Sequence, residues 1–181
     1  LLLALAFARP VWRIPATLPV LTEDREFVAI LVDTSASQSR AGLWDRVAER
    51  VSRRLDELPS RVVVGLSQID DRWRPVVDLR AGLRADPAIS RDAVRTELAK
   101  LRPTARGTNL GEGLVRTAQA LQEAQAELPL PCPQRVILVT DGQAGANLAA
   151  LREFDWPADM PVEWLLLEPN SPENAGLQLV T

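Results

Sequence analysis

EFVAILVDTSASQS, Glu26 to Ser39, joins two chemistries that seldom sit side by side. After Glu26 the first half is continuously apolar, as expected of a strand covered on both faces. The second half is one acid, Asp33, followed by the hydroxyls of Ser35, Ser37 and Ser39. Such side chains compete for backbone hydrogen bonds and disfavour the interior of a strand or a helix. A buried strand that ends in clustered oxygens therefore predicts a polar site at its exit.

The pattern recurs downstream. QRVILVTDG (134–142) is again an apolar run closing on an acid, Asp141, and RVVVGLSQ (61–68) and VEWLLLE (162–168) read as two further buried strands. Helical segments lie between them. LWDRVAERVSRRLDEL (43–58) repeats Leu43, Val47, Val51 and Leu55 at four-residue steps, which makes one apolar stripe with an arginine-rich outer face. ISRDAVRTELAKL (89–101) is a second helix with Ser90 as its N-cap, NLGEGLVRTAQALQEAQAEL (109–128) a third, and ANLAALREF (146–154) a short fourth. RWRPVVDL (72–79) follows a turn at Asp70 and Asp71 as an edge strand, a position that tolerates Pro75. Buried strands alternating with helices predict an α/β fold: a three-layer, doubly wound, mainly parallel sheet with one antiparallel edge strand. Sites in such sheets form outside the carboxyl ends of the strands, where strand order reverses.

Composition removes several functions. A net charge of −3 gives no reason to expect nucleic-acid binding. With no histidine, Ser-His-Asp and Cys-His catalysis are excluded and the usual catalytic zinc site lacks its ligands. Cys132 is the only cysteine, so neither an internal disulfide nor a thiolate cluster can form. It reads as a loop thiol.

The ends carry their own expectations. LLLALAFA at the start is wholly apolar and runs into RPVWR. Eight residues are too few to span a bilayer, which takes about 20. Residues 1–9 are expected to be the end of a transmembrane helix, with Arg9, Arg13 and Trp12 at the interface. A signal-peptide core and a buried helix are the rivals. Residues 10–24, with Pro10, Pro15 and Pro19, read as an extended linker, and 25–170 as the folded domain. Residues 171–181, ending in NAGLQLVT, read as a last strand or the start of a following β domain.

Asp33, Ser35 and Ser37 alternate, and in extended backbone alternate side chains share a face. They are expected to point at one spot above the strand end, which Asp141 reaches if its strand is the neighbour. Two carboxylates and two hydroxyls, without nitrogen or sulfur, suit a hard dication: Mg²⁺, with Mn²⁺ or Ca²⁺ as alternatives. The plainer reading makes Ser37 or Ser39 a helix cap and Asp33 a turn former.

ILVDTSASQS, RGTNLGEGL and VILVTDG, in that order, resemble the von Willebrand factor A domain with its metal-ion-dependent adhesion site, over residues 25–168. The resemblance assigns Asp33, Ser35 and Ser37 to a first metal loop, adds Thr108 as a second, and makes Asp141 the third. Thr104 is a nearby hydroxyl, but Thr108 has the matching surroundings. The resemblance implies that the hydroxyls bind the ion directly or through water. The aspartates act mostly through water or hold the ligands in place. One position stays open for an Asp or Glu of a protein partner, which completes the ion's charge and coordination.

LALAFARPVWR ahead of the domain resembles the bacterial membrane-anchored, Bat-type group (aerotolerance-operon-like), whose domain usually faces the periplasm. The expected function is a metal-dependent adhesion or assembly module at the bacterial inner membrane, not an enzyme. Two alternatives stay open. One is a hydrolase or phosphatase using a strand-end Asp with Mg²⁺, although that chemistry wants a second Asp where Ser35 stands. The other is a scaffold of the same fold whose metal site is not used. Asp70 and Asp71 read as turn formers. Arg102 and Arg106 flank Thr108 and are read first as solvated, with attraction of an acidic partner as the sharper reading. Trp12, Trp44, Trp73, Trp156 and Trp164 are scattered and expected to serve core or edge packing rather than a stacking platform.

Overall fold

β1 (Glu26–Asp33) lies at the centre of the sheet and is buried from Phe27 to Asp33. β2 (Val62–Ile69) and β4 (Gln134–Thr140) pair with it in parallel, one on each side. β5 (Val162–Leu166) joins β4 in parallel and β3 (Trp73–Val77) joins β2 antiparallel, giving the order β3-β2-β1-β4-β5. The chain leaves β1 toward β2 and later returns across it to β4. Strand order therefore reverses between β1 and β4, the two strands that end in acids. This computed structural model describes residues 25–40, 42–83, 86–142 and 146–167. The expected membrane helix at 1–9, linker at 10–24 and closing segment at 171–181 lie outside the described residues.

The pleat of β1 divides the core in two. Val28, Ile30 and Val32 face α1 (Leu43–Glu57) and α3 (Pro87–Leu98). Phe27, Ala29 and Leu31 face α2 (Leu79–Leu83) and α4 (Leu110–Ala126). Leu43, Val47, Val51 and Leu55 are fully buried, as their spacing predicts. Each such side chain contributes roughly 1.5–3 kcal/mol on leaving water.

Local details depart from the expectations. α3 starts at Pro87, and its cap is Asp86, whose carboxylate accepts the Ala88 N–H at 2.8 Å. The buried Ser90 hydroxyl instead donates to the Pro87 carbonyl at 2.7 Å and accepts the Val64 N–H at 3.2 Å, pinning α3 to β2. α2 has only five residues, too few to display a period in the sequence. The helix expected over 146–154 shrinks to a 3-10 turn, Ala149–Arg152. β5 is not a buried strand: it is the sheet edge among the described residues, and its Trp164 and Leu166 are about half exposed. The outer face of α1 also has an exception, because Arg54 turns in to donate to both carboxylate oxygens of Glu163 at 2.7 and 2.9 Å. Among the described residues no helix is long and apolar enough to cross a membrane.

Candidate metal centre

The parallel register sets the site. Val32 lies beside Val139, so one step further on Asp33 meets Thr140. The Thr140 hydroxyl donates to Asp33 Oδ2 at 2.9 Å, while the Ser35 N–H donates to Asp33 Oδ1 at 2.9 Å. Both carboxylate oxygens are thus held, and the residue is 1% exposed. Burial raises the Asp33 carboxyl above its ordinary value; the bonds from Ser35 and Thr140 oppose this, and the nearby Asp141 charge adds to it.

The serines converge, but not along an extended face as expected. Ser35 is extended, and a 3-10 turn over Ala36–Ser39 then folds the next hydroxyl back. Ser35 Oγ and Ser37 Oγ come within 3.1 Å of each other. The capping alternative fails. The N-cap of α1 is Gly42, in the left-handed region at φ 71°, with no side-chain cap bond. Ser35, at the N-cap of the 3-10 turn, makes no side-chain cap bond either.

The second loop is tied by backbone bonds to the first loop and to the turn after β2. The Thr104 N–H donates to the Thr34 carbonyl at 2.7 Å, the Ala36 N–H to the Arg106 carbonyl at 2.8 Å, and the Asn109 N–H to the Asp70 carbonyl at 2.7 Å. The Thr104 hydroxyl donates to the Thr34 carbonyl at 3.1 Å and so helps join the two loops. Asp70 is more than a turn former. It is fully buried, and its carboxylate accepts the Arg72 N–H and the Arg74 guanidinium. Burial pushes its carboxyl up, but these bonds outweigh it and leave the value lowered. Arg106 is not simply solvated, since it pairs with Asp71 at 2.9 Å. At the start of α4, a Cβ on Gly111 would sit 2.9 Å from the Leu148 backbone, so only glycine admits that loop.

Asp33, Ser35, Ser37, Thr108 and Asp141 all line one cavity of about 380 Å³ at the β1/β4 reversal. Two buried atoms in it have no hydrogen-bond partner: Thr108 Oγ1 and Asp141 Oδ2. Arg40 Nη1 lies 3.9 Å from Asp141 Oδ2, beyond hydrogen-bonding reach. Buried polar atoms are nearly always paired, and an unpaired one costs about 1–3 kcal/mol. Oxygen-only orphans beside a raised carboxyl fit a hard dication. Among the described residues no group of three or more Asp, Glu, His or Cys side chains that could hold a metal ion gathers; what the cavity offers is two carboxylates and the hydroxyls.

Sequence reasoning missed two residues that build this centre. Thr140 had one signal, a hydroxyl immediately before the strand-ending acid. The carbonyl of Asp70 had none, because any residue supplies a carbonyl.

The family model for the von Willebrand factor type A domain matches residues 28–143, well over half of the chain. No curated protein sequence matches it. Among solved structures the chain is similar to a von Willebrand factor type A protein from Catenulispora acidiphila, with TM-score 0.60 and 19% identity over 78% of this chain and 34% of that one. It is similar to the PilB minor pilin of Streptococcus sanguinis, with TM-score 0.51 and 18% identity over 68% of this chain and 31% of that one. It is also similar to BatB of Bacteroides thetaiotaomicron, with TM-score 0.50 and 18% identity over 76% of this chain and 64% of that one. At these identities the likenesses speak for the fold. The chain spans about a third of the first two and under two thirds of the third.

Proposed function

The chain belongs to the von Willebrand factor type A domain family, and from that premise we propose a protein-binding module that grips an Asp or Glu of its partner through a divalent cation. Mg²⁺ is the first choice, Mn²⁺ or Ca²⁺ the alternatives. The observation that carries the reading is the pair of orphaned buried oxygens, on Thr108 and Asp141, in one cavity with Asp33, Ser35 and Ser37. Those five residues would hold the ion. The bound cation would supply an open coordination position for an acidic side chain.

The roles divide by environment. Asp33 has both oxygens occupied by Ser35 and Thr140, so it holds the loops and contributes charge. Ser35, Ser37 and Thr108 offer neutral oxygens, which leave the ion under-neutralised and receptive to an anion. The same facts weigh against the phosphatase alternative. An almost fully buried Asp33 with both oxygens engaged is poorly presented as a nucleophile, and Ser35 stands where a second Asp would serve. A tether to the bacterial inner membrane through residues 1–9, with the domain in the periplasm, completes the proposal. It rests on LALAFARPVWR.

The test is partner capture from a membrane extract by the immobilised chain, with Mg²⁺ and then with EDTA. Capture is expected to be lost on chelation. Capture indifferent to EDTA would favour a scaffold that leaves its metal site unused.

A further inference from the structure

The cavity has a second half. Large apolar side chains that are exposed among the described residues are Ile89, Leu130, Leu148, Trp164 and Leu166. Leu148, 44% exposed, and Trp164, 50% exposed, line the same cavity as the candidate metal ligands. Leu166, 52% exposed, extends the patch: a Cβ on Gly142 would meet its Cδ2 at 3.1 Å, and it shares a face of β5 with Trp164. Three of these five residues therefore sit together, and they sit at the site. Apolar surface grouped beside a polar cavity marks a recognition surface rather than chance exposure.

We propose that Trp164, Leu148 and Leu166 form an apolar shelf that selects which acidic residue the cation accepts. The occupant is an extended segment of a protein partner in which an Asp or Glu is neighboured by an aromatic or branched aliphatic residue. The carboxylate goes to the cation and the apolar neighbour lies on the Trp164 ring. The inference rests on the proposed cation site and adds its specificity. A carboxylate contact alone fixes orientation, whereas a buried aromatic anchor carries much of the affinity. The two halves open into one cavity, so a single short segment reaches both. Arg106, paired with Asp71, also lines the cavity.

The experiment pans a phage library of random heptapeptides on the full 181-residue chain in Mg²⁺ and elutes with EDTA. It is repeated on Trp164→Thr, a residue that keeps the strand preference of edge strand β5. The expected result is enrichment of Asp or Glu next to Phe, Trp, Leu or Ile. Synthetic versions of the enriched peptides should bind Trp164→Thr about tenfold more weakly, while Mg²⁺ affinity by calorimetry holds. EDTA-eluted acidic peptides without an apolar neighbour, or the same pairs selected by Trp164→Thr, would overturn the shelf and leave the cation site standing. Apolar-acidic peptides that EDTA does not release, but that Trp164→Thr loses, would overturn the cation reading instead. Sedimentation showing Trp164-dependent dimers would assign the shelf to a second copy of the chain, which also overturns the proposal.

Discussion

The two ends of the same three strands handle buried charge in opposite ways. At the amino ends, Arg135 of β4 pairs with both Glu26 of β1 and Glu163 of β5, and Arg54 of α1 pairs with Glu163. At the carboxyl end of β1 and just beyond β4, Asp33 and Asp141 face the same cavity; Arg40 approaches Asp141 to 3.9 Å, and one oxygen of Asp141 has no hydrogen-bond partner. The first arrangement closes on itself and serves stability. The second leaves two oxygens in one cavity without a hydrogen-bond partner, Thr108 Oγ1 and Asp141 Oδ2, and buried polar atoms of that kind call for an explanation such as a bound ion.

Breaking the open end should produce the largest effect. Asp141→Ala removes a carboxylate whose Oδ2 makes no hydrogen bond and faces Arg40 at 3.9 Å, so circular dichroism should stay native while Mg²⁺ affinity, read by calorimetry, falls roughly hundredfold. Thr140→Val sharpens the contrast from the second layer. It deletes the hydroxyl that donates to Asp33 and accepts the Gly142 N–H, and the expected loss of Mg²⁺ affinity is about tenfold. The closed end should respond in stability alone. Glu163→Gln is expected to lower unfolding free energy by about 1 kcal/mol in urea melts, with Mg²⁺ binding unchanged.

The pH dependence of the closed end follows from the same pairing. The hydrogen bond from Arg54 holds the Glu163 carboxyl below its ordinary value, against the opposing pull of burial and with help from Arg135. Its stabilising contribution is therefore complete above the ordinary glutamate range. It fades as pH falls through the depressed value, and Glu163→Gln should remove that part of the acid sensitivity.

Much of this was legible because it is local. EFVAILV and RVILVT announce central strands by unbroken burial, and the stripe of Leu43, Val47, Val51 and Leu55 announces α1. Asp33 and Asp141 stood out because acids are rare at the exits of such runs. VEWLLLE misled for an instructive reason. Its apolar run looks like a central strand, yet β5 is an edge among the described residues, and the half-exposed Trp164 faces the candidate site. Continuous hydrophobicity reports how much apolar surface a strand carries, and not whether the fold or a partner covers it. Thr140 stayed hidden because its bond to Asp33 joins residues 107 apart, a pairing that only the β1/β4 register creates. The 3-10 turn that draws Ser37 toward Ser35 was likewise invisible, since a D-x-S-x-S string suits an extended segment equally well.

Thr108 offers the most direct test. Its hydroxyl is buried and makes no hydrogen bond, so Thr108→Val keeps shape and packing and changes only what the oxygen is there to bind. Calorimetric titration of Mg²⁺ into the wild-type chain should show one site, and in Thr108→Val that affinity should fall at least about tenfold at unchanged thermal stability without metal. A wild-type chain that takes up no divalent cation, or a variant that binds Mg²⁺ as tightly as the wild type, would contradict the account.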